Sequence, residues 1–99
     1  MNNIAKYLVE FIGTTVFLYV IIGTGNWFAI GLTLAIAILI GGPISGGNFN
    51  PAVTGMLVAT KKMPANDLIP YIIAQLLGAM AAILLYNNFK IPKIPNITK

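Results

Sequence analysis

Apolar residues run through this chain in three long blocks, with the polar residues gathered between them. The first block, IAKYLVEFIGTTVFLYVIIG, covers residues 4–23 and closes at the polar turn Thr24-Gly25-Asn26. The second, WFAIGLTLAIAILI, covers 27–40 and continues to about Pro43; the third, LIPYIIAQLLGAMAAILLY, covers 68–86. Crossing the hydrocarbon core takes roughly 20 apolar residues at about 1.5 Å each. The blocks therefore predict three membrane-spanning helices, at about 4–24, 27–43 and 67–87. Trp27 opens the second, where an interfacial aromatic is expected.

Between the second and third blocks the pattern breaks at ISGGNFNPAVTG, residues 44–55. The short apolar run PAVTGMLVAT, 51–60, follows; it is too short to span before Lys61-Lys62 return the chain to water. Asn50 suits a helix N-cap and Pro51 the first helical position, so a half-helix is predicted over about 50–60. It starts at membrane depth with the positive end of its dipole pointing inward. Non-helical backbone is tolerated there only when buried in protein or lining a wet cavity. Ser45-Gly46-Gly47 lets the chain double back. The carbonyls of Gly46, Gly47, Asn48 and Phe49 would then lead to the Asn50 amide. A ladder of acceptors ending at a donor suits water or small polyols and opposes protons and cations.

Of 99 residues, 58% are hydrophobic and 8% charged, too few charges for a soluble surface. The first block exceeds a signal peptide's apolar core of about 7–15 residues, and no cleavage site precedes a soluble domain. The absence of cysteine and histidine removes disulfides, thiol chemistry and the commonest general base and metal ligand. No enzyme activity, cofactor or metal is predicted. The net charge of +4 comes from lysines that flank apolar segments, which marks the lipid bilayer rather than nucleic acid as partner. Three spans put Lys6, Lys61 and Lys62 on one side and Lys90, Lys93 and Lys99 on the other. That balance leaves open whether Lys61-Lys62 set one orientation or the chain inserts both ways. Small residues recur at four-residue spacing: Ala74, Gly78 and Ala82 predict close helix packing, while Gly31 and Ala35 fit either packing or the general abundance of small residues in membrane helices. Residues 89–99, with prolines and lysines, are expected to be an exposed C-terminal tail.

SGGNFNPAVT resembles the first pore loop of the aquaporin family (major intrinsic proteins), whose Asn-Pro-Ala motif stands here at Asn50, Pro51 and Ala52. VEFIGTTVFLY is similar to the family's first helix and YIIAQLLGAMAA to its third, so the resemblance covers about residues 5–88. It implies an all-α membrane protein: three transmembrane helices plus one re-entrant half-helix. That is one aquaporin repeat, or half-barrel, over 1–88, expected to pair with an inverted second repeat. It implies that Glu10 and Gln75 brace the pore loop, which would give a costly membrane carboxylate its partner. It also implies a passive channel for water or small neutral solutes such as glycerol.

The chain departs from the family in four ways. A second Asn-Pro-Ala is absent. There is no arginine, so Val53 occupies the filter position after Ala52. Ile30 stands where an aromatic or histidine usually joins that filter, and Pro43 where a histidine is common. A filter of Ile30 and Val53 would be less polar and lack a fixed positive charge. One repeat cannot enclose a pore, so an antiparallel homodimer, or a higher oligomer of such pairs, is expected. A separate chain supplying the second half, or a truncated or split gene, would also account for the single repeat. Two alternatives come from other classes: a small antiparallel-dimer, proton-coupled exporter using Glu10, and a non-selective, holin-like membrane protein.

Overall fold

The computed structural model describes residues 3–95. Four α-helices follow in order: α1 (Asn3–Thr24), α2 (Trp27–Ser45), α3 (Pro51–Ala59) and α4 (Leu68–Asn88), with a 3-10 turn at Ala65–Asp67 leading into α4. The described residues contain no strand. α1, α2 and the segment 65–88 are long and apolar enough to cross a membrane, and α3 is not. The fold is all-α, three spans and a half-helix.

Burial is inverted relative to a soluble domain. The largest fully buried side chains are Tyr71, Gln75, Glu10 and Thr54, while Leu39, Ile40, Ile69 and Leu84 are among many exposed large apolar ones. Such a surface has a use only in lipid or against another apolar surface.

α1 and α4 pack along the small-residue row, where Ala74, Gly78 and Ala82 are all buried. A Cβ on Gly78 would stand 2.9 Å from Thr14 Cβ and 3.0 Å from the Phe11 carbonyl oxygen, so the missing side chain lets the backbones touch. The pair on α2 makes no such contact within the chain. Nothing lies within 4 Å of where a Gly31 Cβ would stand, and Ala35 is exposed, because this face of α2 has no neighbour in the chain.

α2 does not stop at Pro43. It runs on to Ser45, and Gly46 (φ 93°) closes it with its N–H on the Gly42 carbonyl at 2.8 Å. In the last turn a proline deprives the helix of a single donor, and the left-handed closure behind it satisfies the Gly42 carbonyl.

Each end of the bundle carries its own tie. Lys6 Nζ reaches Asp67 Oδ2 at 2.8 Å and Tyr7 Oη donates to Asp67 Oδ1 at 3.0 Å, joining the starts of α1 and α4. At the opposite end the described tail, 89–95, lies across the α1–α2 turn. Lys93 Nζ donates to the Ile22 carbonyl at 2.8 Å, Ile94 N–H to Thr24 at 3.1 Å, and Asn26 Nδ2 to Pro95 at 3.0 Å. Tyr19 Oη also donates to the Phe89 carbonyl. The tail is exposed in area yet tethered; residues 96–99, with Lys99, lie outside the described residues. The alternation of ends is the one three crossings require.

Candidate functional site

Glu10 sits two turns into α1 with no exposed surface. Its carboxylate accepts four hydrogen bonds. Oε2 takes Ser45 Oγ at 2.8 Å and the Asn48 N–H at 3.0 Å; Oε1 takes the Phe49 N–H at 2.8 Å and Gln75 Nε2 at 2.9 Å. Burying an ion in an apolar medium costs far more than burying a dipole unless donors replace its water. Among the described residues no ion pair reaches Glu10, since Lys6 is taken by Asp67. The loop itself therefore supplies most of the donors that replace water around this carboxyl group. Glu10 holds the loop and the loop holds Glu10.

The exporter alternative needs Glu10 exposed to a pathway, whereas here Glu10 is fully enclosed within its own chain with both oxygens doubly engaged.

Gln75 Nε2 donates a second time, to Thr54 Oγ1 at 2.8 Å, and a flipped amide would set its oxygen against the carboxylate. Gln75 Oε1 is left buried without a partner. Thr54 Oγ1 also accepts Asn48 Nδ2 at 3.0 Å and donates to the Asn50 carbonyl at 3.2 Å. A polar chain thus runs from Glu10 on α1 through Gln75 on α4 to Thr54 and Asn50 on α3. From the far side, Tyr71 Oη donates to the Ser45 carbonyl at 2.6 Å.

The loop backbone follows from these anchors. Among the described residues no peptide bond is cis, and in a trans peptide the N–H and the preceding C=O point in opposite directions. With the Asn48 and Phe49 N–H groups on Glu10, the carbonyls of Gly47 and Asn48 face away from it. The Gly47 N–H meets Ser45 Oγ at 3.1 Å, which turns the Gly46 carbonyl outward in the same way. Gly46 (93°) and Gly47 (64°) supply the positive φ values of this reversal. Phe49 also holds a positive φ, 54°, which costs a side-chain-bearing residue about 1–2 kcal/mol. Its ring compensates by filling a slot against Gly13 and Gly41. The side chains of Asn48 and Phe49 are buried, so these residues have only backbone to offer a passage.

Asn50, Pro51 and Ala52 are exposed. Asn50 caps α3 with Oδ1, which accepts the Ala52 N–H at 2.7 Å, and Pro51 takes the first helical position as expected. Asn50 Nδ2 has no partner among the described residues, so a donor stands open beside the positive end of α3. Ile30 and Val53 are both half-buried, but the chain does not unite them. Ile30 lies about 22 Å along α2 from Ser45, at about 1.5 Å per residue, whereas Val53 adjoins the loop.

Sequence reasoning found Glu10, Gln75 and Asn50, and missed Ser45, Thr54 and Tyr71 as partners and the Phe49 ring as a wedge. Only Ser45 left a signal: a small hydroxyl directly before the glycine turn.

The major intrinsic protein family model matches residues 26–96. Over 93 residues the chain is 42% identical to the glycerol uptake facilitator protein-like 6 of Lactiplantibacillus plantarum, covering 85% of this chain and 43% of that one. It is 53% identical over 64 residues to aquaporin AqpM of Methanothermobacter thermautotrophicus (61% and 26% of the two chains). It is 58% identical over 59 residues to aquaporin Z of Brucella melitensis (59% and 25%). The matched regions span less than half the length of these curated relatives. No solved structure matches the chain.

Proposed function

The chain belongs to the major intrinsic protein family and is an integral, multi-pass membrane protein, and from that premise we propose that it forms half of a passive channel for water or small neutral solutes such as glycerol. An inverted second copy completes the pore, so that two α3 helices meet N-terminus to N-terminus at mid-depth. A separate second half would meet the same geometric need.

The observation that carries this reading is the open side of Asn50. Its Nδ2 is unpartnered, exposed, and set beside the positive end of a half-helix that starts inside a bundle of membrane-length helices. Lipid cannot satisfy such a group, and a file of permeating hydroxyls can. The outward carbonyls of Gly46, Gly47 and Asn48 supply acceptors on the way, with that of Phe49 next in line. In a symmetric dimer, Ile30 of each copy would face Val53 of the other, giving two apolar constrictions without a fixed charge. The positive half-helix ends then carry the rejection of cations alone. Nothing in this mechanism is catalytic, and it uses no cofactor.

The natural chain has no cysteine, so Ala52→Cys reports on the pairing directly. A short bifunctional thiol reagent is expected to join two copies at that position and leave Tyr86→Cys uncoupled. The reverse outcome contradicts the inverted dimer. Osmotic shrinkage of proteoliposomes tests the channel itself.

A further inference from the structure

Five lysines are described, and three are engaged. Lys6 pairs with Asp67, Lys90 sits 5.3 Å over the Tyr86 ring, and Lys93 donates to the Ile22 carbonyl. Lys61 and Lys62 are exposed and have no partner among the described residues. They follow α3, whose nine residues rise about 13.5 Å from the start that the proposed half-channel sets at mid-depth. Half the hydrocarbon core is about 15 Å, so the two ammonium groups emerge at the level of lipid headgroups.

An open cavity of about 510 Å³ lies there, lined by Val58, Lys61, Lys62, Met63, Pro64 and Ala65. Its charge is all of one sign and the rest of its lining is apolar. The backbone beside it is unusual. Lys61 holds φ 62° at the residue just past the helix end, with its N–H on the Val58 carbonyl at 3.0 Å and the Lys62 N–H on Leu57 at 2.8 Å. That closing position normally goes to glycine, because an L side chain is strained in it. Here the strain is accepted and a long cationic side chain stands over the cavity. Met63 links the cavity to the loop, since Asn48 Nδ2 donates to its Sδ at 3.1 Å.

We propose that this cavity is a binding site for an anionic phospholipid. Lys61 and Lys62 hold the headgroup phosphate, and Val58, Met63, Pro64 and Ala65 take the glycerol and first acyl carbons. The apolar floor and the headgroup depth favour a lipid over a soluble anion, which has no use for either. Each lysine near an anionic membrane surface contributes about fivefold in affinity. Its headgroup depth rests on α3 starting at mid-membrane as in the half-channel reading, but lipid retention needs no open pore, so the two are tested by separate measurements.

The full-length chain, equilibrated in micelles with equimolar palmitoyl-oleoyl phosphatidylglycerol and phosphatidylcholine, is examined by native mass spectrometry. The wild type is expected to retain phosphatidylglycerol several-fold over phosphatidylcholine. Lys61→Gly/Lys62→Gln should bring the ratio near one; glycine suits the backbone at 61, so helicity by circular dichroism should be unchanged. Lys62→Gln alone, which leaves the closing turn untouched, should lose part of the preference, and Lys90→Gln none. The proposal is overturned if the wild type shows no preference, or if the preference survives both substitutions. It is equally overturned if Lys90→Gln abolishes the preference, or if millimolar inorganic phosphate displaces the lipid.

Discussion

Gln75 and Glu10 are joined by a hydrogen bond of 2.9 Å, and the same Gln75 nitrogen reaches Thr54 at 2.8 Å. One amide on α4 therefore ties the carboxylate of α1 to the half-helix that carries Asn50. The loop is held inside the bundle by polar bonds, within a shell that is otherwise greasy.

The Gln75 amide donates twice in a dry interior, so Gln75→Leu leaves two acceptors short of a donor. The expected loss is about 1–3 kcal/mol. Thr54→Val removes one hydroxyl, while Asn48 Nδ2 keeps Met63 and Gln75 keeps Glu10; about 0.5–1.5 kcal/mol is expected. Thermal unfolding in detergent, followed by Trp27 emission, should rank Gln75→Leu as the more damaging change. The opposite order would show that Thr54, not Gln75, is the hub.

A Cβ at Gly13 would lie 2.1 Å from Phe49 Cε1, and the ring has Gly41 on its other side. Gly13→Ala should therefore push the ring out of its slot, at about 1–3 kcal/mol for an overpacked site. Phe49→Ala empties the slot and should cost about 3–5 kcal/mol. In the double variant the new methyl occupies space the ring has left, so the combined loss should be smaller than the sum. Additive losses would mean that Phe49 does not wedge α1 against α2.

Ile91 fills the notch at Gly23, where a Cβ would come within 2.5 Å of it. Gly23→Ala should displace Ile91 and release the tail from the α1–α2 turn. Limited tryptic cleavage after Lys90 and Lys93 is then expected to quicken several-fold, with helicity unchanged. An unchanged cleavage rate would show that the carbonyl contacts of Lys93 and Ile94 suffice alone.

Legibility in the sequence followed the reach of each signal. Three apolar blocks gave three spans because a membrane sets their length, and Asn50-Pro51 marked the start of α3 because capping is local chemistry. The second helix runs two residues past the expected end at about Pro43, since a proline in a last turn costs a single donor and does not end a helix. Glu10 was visible as an expensive carboxylate in an apolar segment, and Gln75 through resemblance. Tyr71, Thr54 and the Phe49 ring were not, because their roles depend on which way a helix is rotated against its neighbour. Gly31 and Ala35 fit the same spacing rule as Ala74 and Gly78, yet only the latter pair meets a partner within this chain.

The central claim, that the exposed Asn50 amide lines a passive pore completed by a second half, is met most directly by stopped-flow shrinkage of proteoliposomes. Vesicles carrying the purified chain are placed under an osmotic gradient of an impermeant sugar, and under one of glycerol. Wild-type protein should raise permeability to water, to glycerol or to both, and Asn50→Leu, which keeps the half-helix but removes the donor, should return it to the empty-vesicle rate. Folded wild-type protein that raises neither permeability, or an Asn50→Leu variant that conducts as well as wild type, would contradict the account.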